Sequence, residues 1–304
     1  MNPEARSEPA PPSVPVARLR GSGEQDQRTD LPRAAVCMAG AALLFAVMSV
    51  MVKLLAHSLP NAMVVFLRSS LSLLVLLPVV AASGLWKLRT THLKEHLLRG
   101  ALGMGAMYCF FFAIAKLGLA EALLLNYSLP LFIPLVESVW LGEPTPKGVW
   151  RALGIGLVGL CFILKPGLDI FQPTAFIGVL GAVFAATAQV GVRGLTRTES
   201  VLKIVFYFSF VSTGIALVPA LLSWVTPAAS SVPLLLGLVS SATVAQLLMT
   251  RAYHLAPAAQ VGPFIYSSVA FAGALDWLLF QRHPDVLSAL GTALVVAAGV
   301  LALR

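Results

Sequence analysis

Few side chains in this chain could do chemistry, and those few lie within long apolar runs. Of its 304 residues, 58% are hydrophobic and only 11% are charged. Asn126, Pro130 and Glu137 stand at positions i, i+4 and i+11 of one such run and would share a face of a continuous helix. Because a polar group is costly inside hydrocarbon, we expect this stripe to line a cavity. Pro130 and Pro134 would each free a backbone carbonyl for a ligand or for a bend.

The two halves of the chain resemble each other, and this resemblance indicates where such a cavity would lie. An offset of 139 residues aligns Tyr127 with Tyr266, and an offset of 140 residues aligns Lys53 with Arg193. Each half holds five apolar runs, an odd number, so the second half must enter the membrane from the opposite side. Inverted repeats of this kind are typical of transporters whose binding site lies near the membrane midplane, between the halves.

Asp276 is the counterpart of Glu137 in this alignment, so one carboxylate would stand toward each side of the central site. Partial burial raises the pKa of a carboxylate and lets it exchange a proton. We therefore predict that Glu137 and Asp276 are paired gate or proton-coupling groups, with a coupling proton as a partner. Two alternatives stay open: each carboxylate only reaches its own membrane interface, and the prolines only bend the helix.

Arg68 lies about six residues inside the second apolar run, roughly 9 Å from its start by helical rise. It could bind a substrate carboxylate bidentately, or it could pair with Glu121 as a structural tie. We favour the tie, because a basic side chain can also extend outward to the interface. In the second half, the counterparts of Arg68 and Glu121 are apolar or neutral, so this charge cluster belongs to one repeat only.

Five further polar side chains within the apolar runs are candidates for a substrate pathway: Tyr108, Tyr127, Tyr266, Gln189 and Gln246. Tyr127 and Tyr266 could line a cavity, or they could pack as amphipathic rings between helices. The two glutamines could face a substrate, or they could tie helices together by interhelical hydrogen bonds. No catalytic residue, no metal site and no cofactor are predicted.

Ten apolar runs must position these side chains. A helix of roughly 20 residues crosses a hydrocarbon core of about 30 Å. Since hydrocarbon offers the backbone no hydrogen bonds, continuous helices are expected. The runs are Ala34–Leu55, Ala62–Ala82, Leu98–Leu117, Leu119–Leu141, Val149–Leu164, Ala175–Val192, Val201–Leu222, Pro233–Thr250, Ala258–Phe280 and Val286–Leu303.

These runs predict an all-α polytopic membrane protein of ten transmembrane helices in two inverted five-helix repeats, residues 34–165 and 173–304. The polar, Pro-rich segment 1–33 before them is expected to be a disordered cytoplasmic tail. Most of the 21 Lys and Arg residues fall on the side of the N-terminus, so both termini are predicted to face the cytoplasm. The apolar composition excludes a nucleic-acid-binding domain and most soluble enzymes.

Several short motifs resemble those of one family of membrane proteins. They are Lys53, Phe66-Leu67-Arg68, Ala120-Glu121-Ala122, Pro130 and Leu141-Gly142-Glu143. The pattern resembles the EamA-type members of the drug/metabolite transporter (DMT) superfamily and, more distantly, exporters of opine-type metallophores. The resemblance covers residues 34–304, although Gln281-Arg282 replaces the Gly-Glu pair in the second repeat.

The resemblance implies a secondary transporter of the cell inner membrane that works by alternating access. Its partners would be a small-molecule substrate and the lipid bilayer, and it would act as a monomer or a homodimer. The implied activity is export of a small polar metabolite, such as an amino acid or an amino-acid-derived, opine-type metallophore. An importer of the same fold, an integral-membrane enzyme and a channel are the alternatives.

Overall fold

A computed structural model describes residues 29–117, 119–281 and 283–303, and within them the regular elements are helices without any strand. This confirms the all-α class. Most of the predicted disordered tail, together with Arg282 and Arg304, lies outside the described residues. The α-helices are α1 Leu31–Leu55, α2 Asn61–Ser83, α3 Leu93–Leu117, α4 Leu119–Asn126, α5 Leu129–Trp140, α6 Lys147–Leu164, α7 Ala175–Leu195, α8 Val201–Leu222, α9 Val232–Leu255, α10 Ala258–Val261, α11 Ser267–Phe280 and α12 Val286–Ala302.

The described helices have the length and composition of membrane spans. Nine segments of the described residues contain at least 18 residues and are apolar enough to cross a membrane. The tenth predicted span is the apolar helix α12, which is shorter at 17 residues. The protein is therefore a multi-pass membrane protein, and for reference one side of the bundle is named after the start of α1. We call this the N-terminal side and the other the distal side.

The expectation of continuous helices is wrong for the fourth and ninth spans. The fourth span is divided into α4 and α5 at Tyr127 and Ser128, and the ninth contains a 3₁₀ turn, Gly262–Tyr266, between α10 and α11. Pro130 and Pro263 lie in the first turn of the segments that follow each break. Because proline has no backbone N–H, neither residue can continue the preceding helix. Consequently Asn126 and Glu137 belong to different helices.

The helices of the two halves pack in a pattern that has two-fold symmetry. The first helix of each half lies against the third helix of the other, since α1 packs on α9 and α7 packs on α3. Equivalent helices also meet, with α2 against α8 and α6 against α12. Two copies of one five-helix unit that enter the membrane from opposite sides would pack in this way, so the pattern supports the predicted inverted repeat.

The contact between α6 and α12 depends on glycine. A Cβ atom on Gly159 would lie 2.7 Å from the backbone oxygen of Gly291, and a Cβ on Gly291 would lie 2.5 Å from that of Gly159. Only residues without a side chain permit two helix backbones to approach this closely. The last helices of the two halves are thus joined by direct backbone packing.

Replacing Gly159 with valine should lower the stability of the protein, because any side chain there must push α6 and α12 apart. Overpacking of this kind costs about 1–3 kcal/mol. The measurement is the melting temperature of the full-length protein in detergent, with size-exclusion chromatography as a check on folding. Gly154→Val is the matched control on the same helix, since no atom lies within 4 Å of a Cβ there. Equal melting temperatures for the two variants would contradict the close approach.

Candidate functional site

A small polar cavity, with a volume of about 10 Å³, lies between the two halves, where α2, α8 and α9 meet. Its wall combines one charged side chain with hydroxyl, amide and aromatic groups. The lining residues are Arg68, Ser69, Ser72, Val205, Phe208, Ser209, Ala242, Thr243 and Gln246. A polar cavity enclosed by membrane helices is where a transported solute can replace water. We therefore treat it as the candidate functional site.

Side chains on opposite walls of the cavity are connected. The hydroxyl of Thr243 on α9 donates a hydrogen bond to the hydroxyl of Ser72 on α2, with the oxygens 2.8 Å apart. Gln246 lies one helical turn beyond Thr243 and is also buried. Because Gln246 was predicted as a pathway residue, the cavity is consistent with that prediction. Thr243 and Ser72 were not singled out, since isolated hydroxyl residues are common in membrane helices.

Arg68 faces this cavity, and the favoured tie to Glu121 is wrong. A carboxylate oxygen of Glu121 instead accepts a hydrogen bond from the backbone N–H of Gly167, at 2.6 Å. Gly167 belongs to the link between the two halves, and its N–H requires an acceptor because few other groups are available there. Neither Arg68 nor Glu121 forms an ion pair with another residue that the structure describes.

Arg99 is a second buried arginine, and the sequence analysis missed it. The apolar run was taken to begin at Leu98, which placed Arg99 at the membrane surface, but α3 begins at Leu93. Arg99 therefore lies more than one turn inside the helix, is 5% exposed, and holds its guanidinium 4.1 Å from the ring centre of Phe208. The available signal was Gly103, four residues later, which leaves room for the arginine side chain.

Glu137 is buried at the N-terminal side and joins the two halves. Its side chain is 1% exposed, and its two carboxylate oxygens accept hydrogen bonds from the backbone N–H groups of Ala258 and Ala259, at 2.6 and 2.7 Å. These N–H groups open α10 and have no partner within that helix. The structure therefore does not place Glu137 on the wall of the polar cavity, and it does not place it at an exposed interface either.

The other members of the predicted stripe lie at the break between α4 and α5. Asn126 is the half-buried last residue of α4. Pro130 is buried and lies beside Gly262, the first residue of the 3₁₀ turn in the ninth span. The two broken spans thus meet at their irregular segments. The prediction that Asn126, Pro130 and Glu137 form one cavity-lining face fails because it assumed a continuous helix.

A charged network surrounds Glu137 on the N-terminal side. The guanidinium of Arg193 donates hydrogen bonds to the backbone oxygens of Tyr253 and His254, at 2.9 and 3.3 Å, and to the carboxylate of Glu143, at 3.3 Å. Arg193 is also an attractive charged neighbour of Glu137. Arg193 is therefore the centre of a set of contacts that joins α5, α7 and α9.

Glu143 owes its position to a turn. Gly142 has a φ of +69°, a conformation that favours glycine, and it reverses the chain after α5. This turn directs Glu143 to Arg193 and Arg197 at the end of α7. The motif Leu141-Gly142-Glu143 thus supplies a bond from the first half to the second half.

The distal side carries a corresponding pair. The ammonium of Lys53, near the end of α1, lies 3.0 Å from a carboxylate oxygen of Asp276 on α11, and both side chains are partly exposed. Lys53 aligns with Arg193, and Asp276 aligns with Glu137. Each side of the membrane therefore has a basic residue from the first helix of one half near an acidic residue from the fourth span of the other.

The predicted tyrosines lie away from the polar cavity. The hydroxyl of Tyr127 accepts a hydrogen bond from Ser268, at 2.9 Å. Tyr266 is fully buried, and its ring packs against Gly156, where a Cβ would lie 2.3 Å from the ring. Tyr108 is 39% exposed on α3. The contacts of Tyr127 and Tyr266 match the alternative that these rings pack between helices.

The predicted glutamine Gln189 forms a hydrogen bond between two helices of the second half. Its side-chain oxygen accepts a hydrogen bond from the hydroxyl of Tyr253, which is fully buried on α9. Gln189 lies on α7, so this bond joins the first and third helices of the second repeat. This contact is an interhelical tie, which was the second of its two predicted roles.

A small polar cluster covers the N-terminal side of α3 and α8. Glu199 pairs with Lys203 and accepts a hydrogen bond from Thr90. Burial opposes the negative charge of Glu199, but the bonds from Lys203 and Thr90 outweigh it and hold the pKa of Glu199 below its ordinary value. His96 lies beside this cluster, stacked on Tyr207 at a ring separation of 4.4 Å. These contacts fix the loop after α2 against the second half.

Comparison with known proteins agrees with this architecture. Residues 32–165 and 172–304 each match the family model described as EamA-like transporter family. The pseudopaline exporter CntI of Pseudomonas aeruginosa is 33% identical over 274 residues, which cover 88% of this chain and 95% of that protein. An S-adenosylmethionine uptake transporter of Rickettsia bellii is 27% identical over 249 residues, covering 82% and 86% respectively. One crystal structure shares the fold, with a TM-score of 0.77 at 20% identity, covering 88% of this chain and 96% of the other.

Substitution of Glu137 by glutamine should destabilise the protein, because an amide has one acceptor oxygen while Ala258 and Ala259 present two N–H groups. A buried donor without a partner costs about 1–3 kcal/mol. The readout is the melting temperature of the full-length protein in detergent. Glu121→Gln is the matched control: Glu121 is similarly buried but accepts only one backbone hydrogen bond, which the amide oxygen can keep. The role assigned to Glu137 would be refuted if both variants melted alike.

Proposed function

The chain belongs to the EamA-like transporter family and is a membrane transporter, and we propose that it exports a small polar metabolite across the cell inner membrane by alternating access. The similarity to a protein named as a pseudopaline exporter supports export. The cargo class we propose is an amino acid or an amino-acid-derived, opine-type metallophore. Both termini would face the cytoplasm, as the distribution of Lys and Arg indicates, and the unit would be a monomer or a homodimer.

The observation that carries this proposal is the polar cavity between α2, α8 and α9. A cavity with a charge, hydroxyls and an amide serves no purpose for stability in an apolar bundle, since burying polar groups is costly. Its position between the two halves is where inverted-repeat transporters bind substrate. At about 10 Å³ the cavity is too small for a metabolite in this conformation, so a substrate would reach these groups only when α2, α8 and α9 move apart.

The two charged pairs support a mechanism of alternate opening. Lys53 with Asp276 closes the distal side, and Arg193 with Glu137 and Glu143 closes the N-terminal side. Each set joins one half to the other, so it must separate when the halves move apart on that side. We propose that a proton on Asp276 or Glu137 weakens the corresponding contact and thereby couples transport to a proton gradient.

Import is the second candidate, and one observation favours it. A relative with 27% identity is named as an uptake transporter, so the same architecture also serves inward transport. The cavity itself has no direction, because alternating access is reversible and the coupling gradient sets the net flux. Export remains the proposal because the relative named as an exporter has the higher identity and coverage.

Deletion of the gene should make one metabolite accumulate in the cytoplasm and disappear from the medium, since export would have no route. The measurement is paired metabolite profiling of cells and medium. The wild-type gene should restore the distribution, while Gln246→Leu should fail, because leucine removes the amide from the cavity wall at similar volume. Val244→Leu, at an exposed position of α9, is the matched control and should restore it. A metabolite that remains in the medium and is missing from the cells would instead establish import.

The Lys53–Asp276 pair should tolerate exchange of its charges. Lys53→Asp and Asp276→Lys alone each place like charges together and should lower the transport rate severalfold in proteoliposomes, whereas the double variant should recover most of it. The comparison pair is Lys165–Asp285, which joins the ends of α6 and α12 and in which Lys165 holds the pKa of Asp285 below its ordinary value. Breaking that exposed pair should leave transport unchanged. Lack of recovery in the double variant would argue against a gate.

A further inference from the structure

We propose that Arg68, in the wall of the central cavity, and Arg99, which packs on the cavity residue Phe208, form an anion site, and that the transported metabolite carries carboxylate groups that neutralise them. This inference rests on the proposed function, because it names the substrate class of the same cavity. The two arginines differ from every other basic residue of the described bundle in their depth and in their surroundings.

The two arginines approach the membrane midplane from opposite sides. Arg68 lies seven residues after the start of α2, on the distal side, and Arg99 lies six residues after the start of α3, on the N-terminal side. At about 1.5 Å per residue, each Cα is roughly 10 Å inside its end of the helix. In a core of about 30 Å, the long side chains can bring both guanidinium groups near the centre. Phe208 links the two, because its ring centre lies 4.1 Å from the Arg99 guanidinium and it lines the same cavity as Arg68.

The side chain of Arg99 points inward. A basic residue near a membrane surface ordinarily extends to water. One guanidinium nitrogen of Arg99 instead lies 2.7 Å from the place that a Cβ of Gly103 would occupy, one turn deeper in the membrane. The guanidinium packs on the ring of Phe208, which is part of the cavity wall. Its Nε atom is buried and has no hydrogen-bond partner in the described part of the chain.

The acidic side chains that the structure describes form no ion pair with the two arginines. Among residues 29–117, 119–281 and 283–303, neither Arg68 nor Arg99 forms an ion pair. Five acidic side chains of the bundle are engaged with other partners. Those are Glu121 with Gly167, Glu137 with Ala258 and Ala259, Glu143 with Arg193, Glu199 with Lys203, and Asp276 with Lys53.

A buried arginine and a half-buried one without counter-charges are unfavourable inside a membrane bundle, so the protein holds a site that an anion would stabilise. A guanidinium binds a carboxylate through two parallel hydrogen bonds, which suits both arginines. Ser69, Ser72 and Gln246 add neutral donors around them. Because the guanidinium groups come from different helices, they fit a metabolite with carboxylates at separate points of its skeleton better than one compact phosphate.

The first test needs no substrate. We expect purified full-length Arg68→Gln and Arg99→Gln variants, in buffer without carboxylates or phosphate, to melt at or above the wild-type temperature, because each removes an uncompensated charge. Arg193→Gln is the control, since Arg193 is also buried but pairs with Glu143. It should melt several degrees lower. If Arg68→Gln and Arg99→Gln destabilised the protein as much as Arg193→Gln, the two arginines would be structural and the inference would be overturned.

The second test uses citrate and succinate as probes against chloride of equal ionic strength. An anion that binds only the folded protein raises its melting temperature. We expect citrate or succinate to raise that of the wild type by about 2–4 °C, which corresponds to roughly 1 kcal/mol at this size. Both Gln variants should lose the shift. No shift with either carboxylate, or a shift with inorganic phosphate alone, would overturn the carboxylate assignment.

These tests fail separately from the proposed function. Export would be refuted if no metabolite changed its distribution between cells and medium in the deletion strain. The arginines could still bind citrate in that case. The anion site would be refuted by the melting experiments even if the deletion strain retained a metabolite. A retained metabolite that carries no carboxylate would also overturn the inference while leaving export intact.

Discussion

The hydrocarbon interior offers no hydrogen bonds, so each backbone group that a broken helix releases must find a partner within the protein. The breaks in the fourth and ninth spans create this demand, and Glu137 meets part of it with both oxygens on Ala258 and Ala259. The donors belong to the second half and the acceptor belongs to the first. The need to satisfy backbone N–H groups in the membrane is therefore met by hydrogen bonds between the two repeats. These hydrogen bonds hold α5 against α10.

Because unpaired charges are also costly inside a membrane, the charged residues of the protein fall into two groups. At both sides of the membrane, basic and acidic groups meet: Arg193 near Glu137 and Glu143, and Lys53 with Asp276. In the centre, Arg68 and Arg99 meet neutral hydroxyls, an amide and an aromatic ring instead. An ion pair whose charges cancel holds two helices together. An arginine without a carboxylate partner leaves a site that an anionic ligand can fill. The arrangement thus distinguishes contacts that close the protein from contacts that await a ligand.

Much of the fold could be predicted from the sequence, because apolar runs of membrane length report helices directly. The runs match the observed helices within a few residues. Side-chain partners could not be predicted in the same way. Arg99 was missed because apolarity begins at Leu98, although the helix begins five residues earlier at Leu93. An ion pair of Glu121 with Arg68 was predicted because opposite charges can be read from a sequence. The backbone N–H of Gly167, which is the observed partner of Glu121, cannot be recognised there.

Among the contacts that join the halves, the glycine contact of α6 with α12 and the charged contacts differ in how readily they can separate. The contact of α6 with α12 is apolar backbone packing at Gly159 and Gly291, which loses area and dispersion as soon as the helices part. Contacts made by Lys53 with Asp276, or by Arg193 with its neighbours, can exchange protein partners for water with little net change when exposed. Motion of one half against the other should therefore keep the α6–α12 contact and break the charged contacts. We therefore expect α6 and α12 to form the axis about which the other helices of each half move.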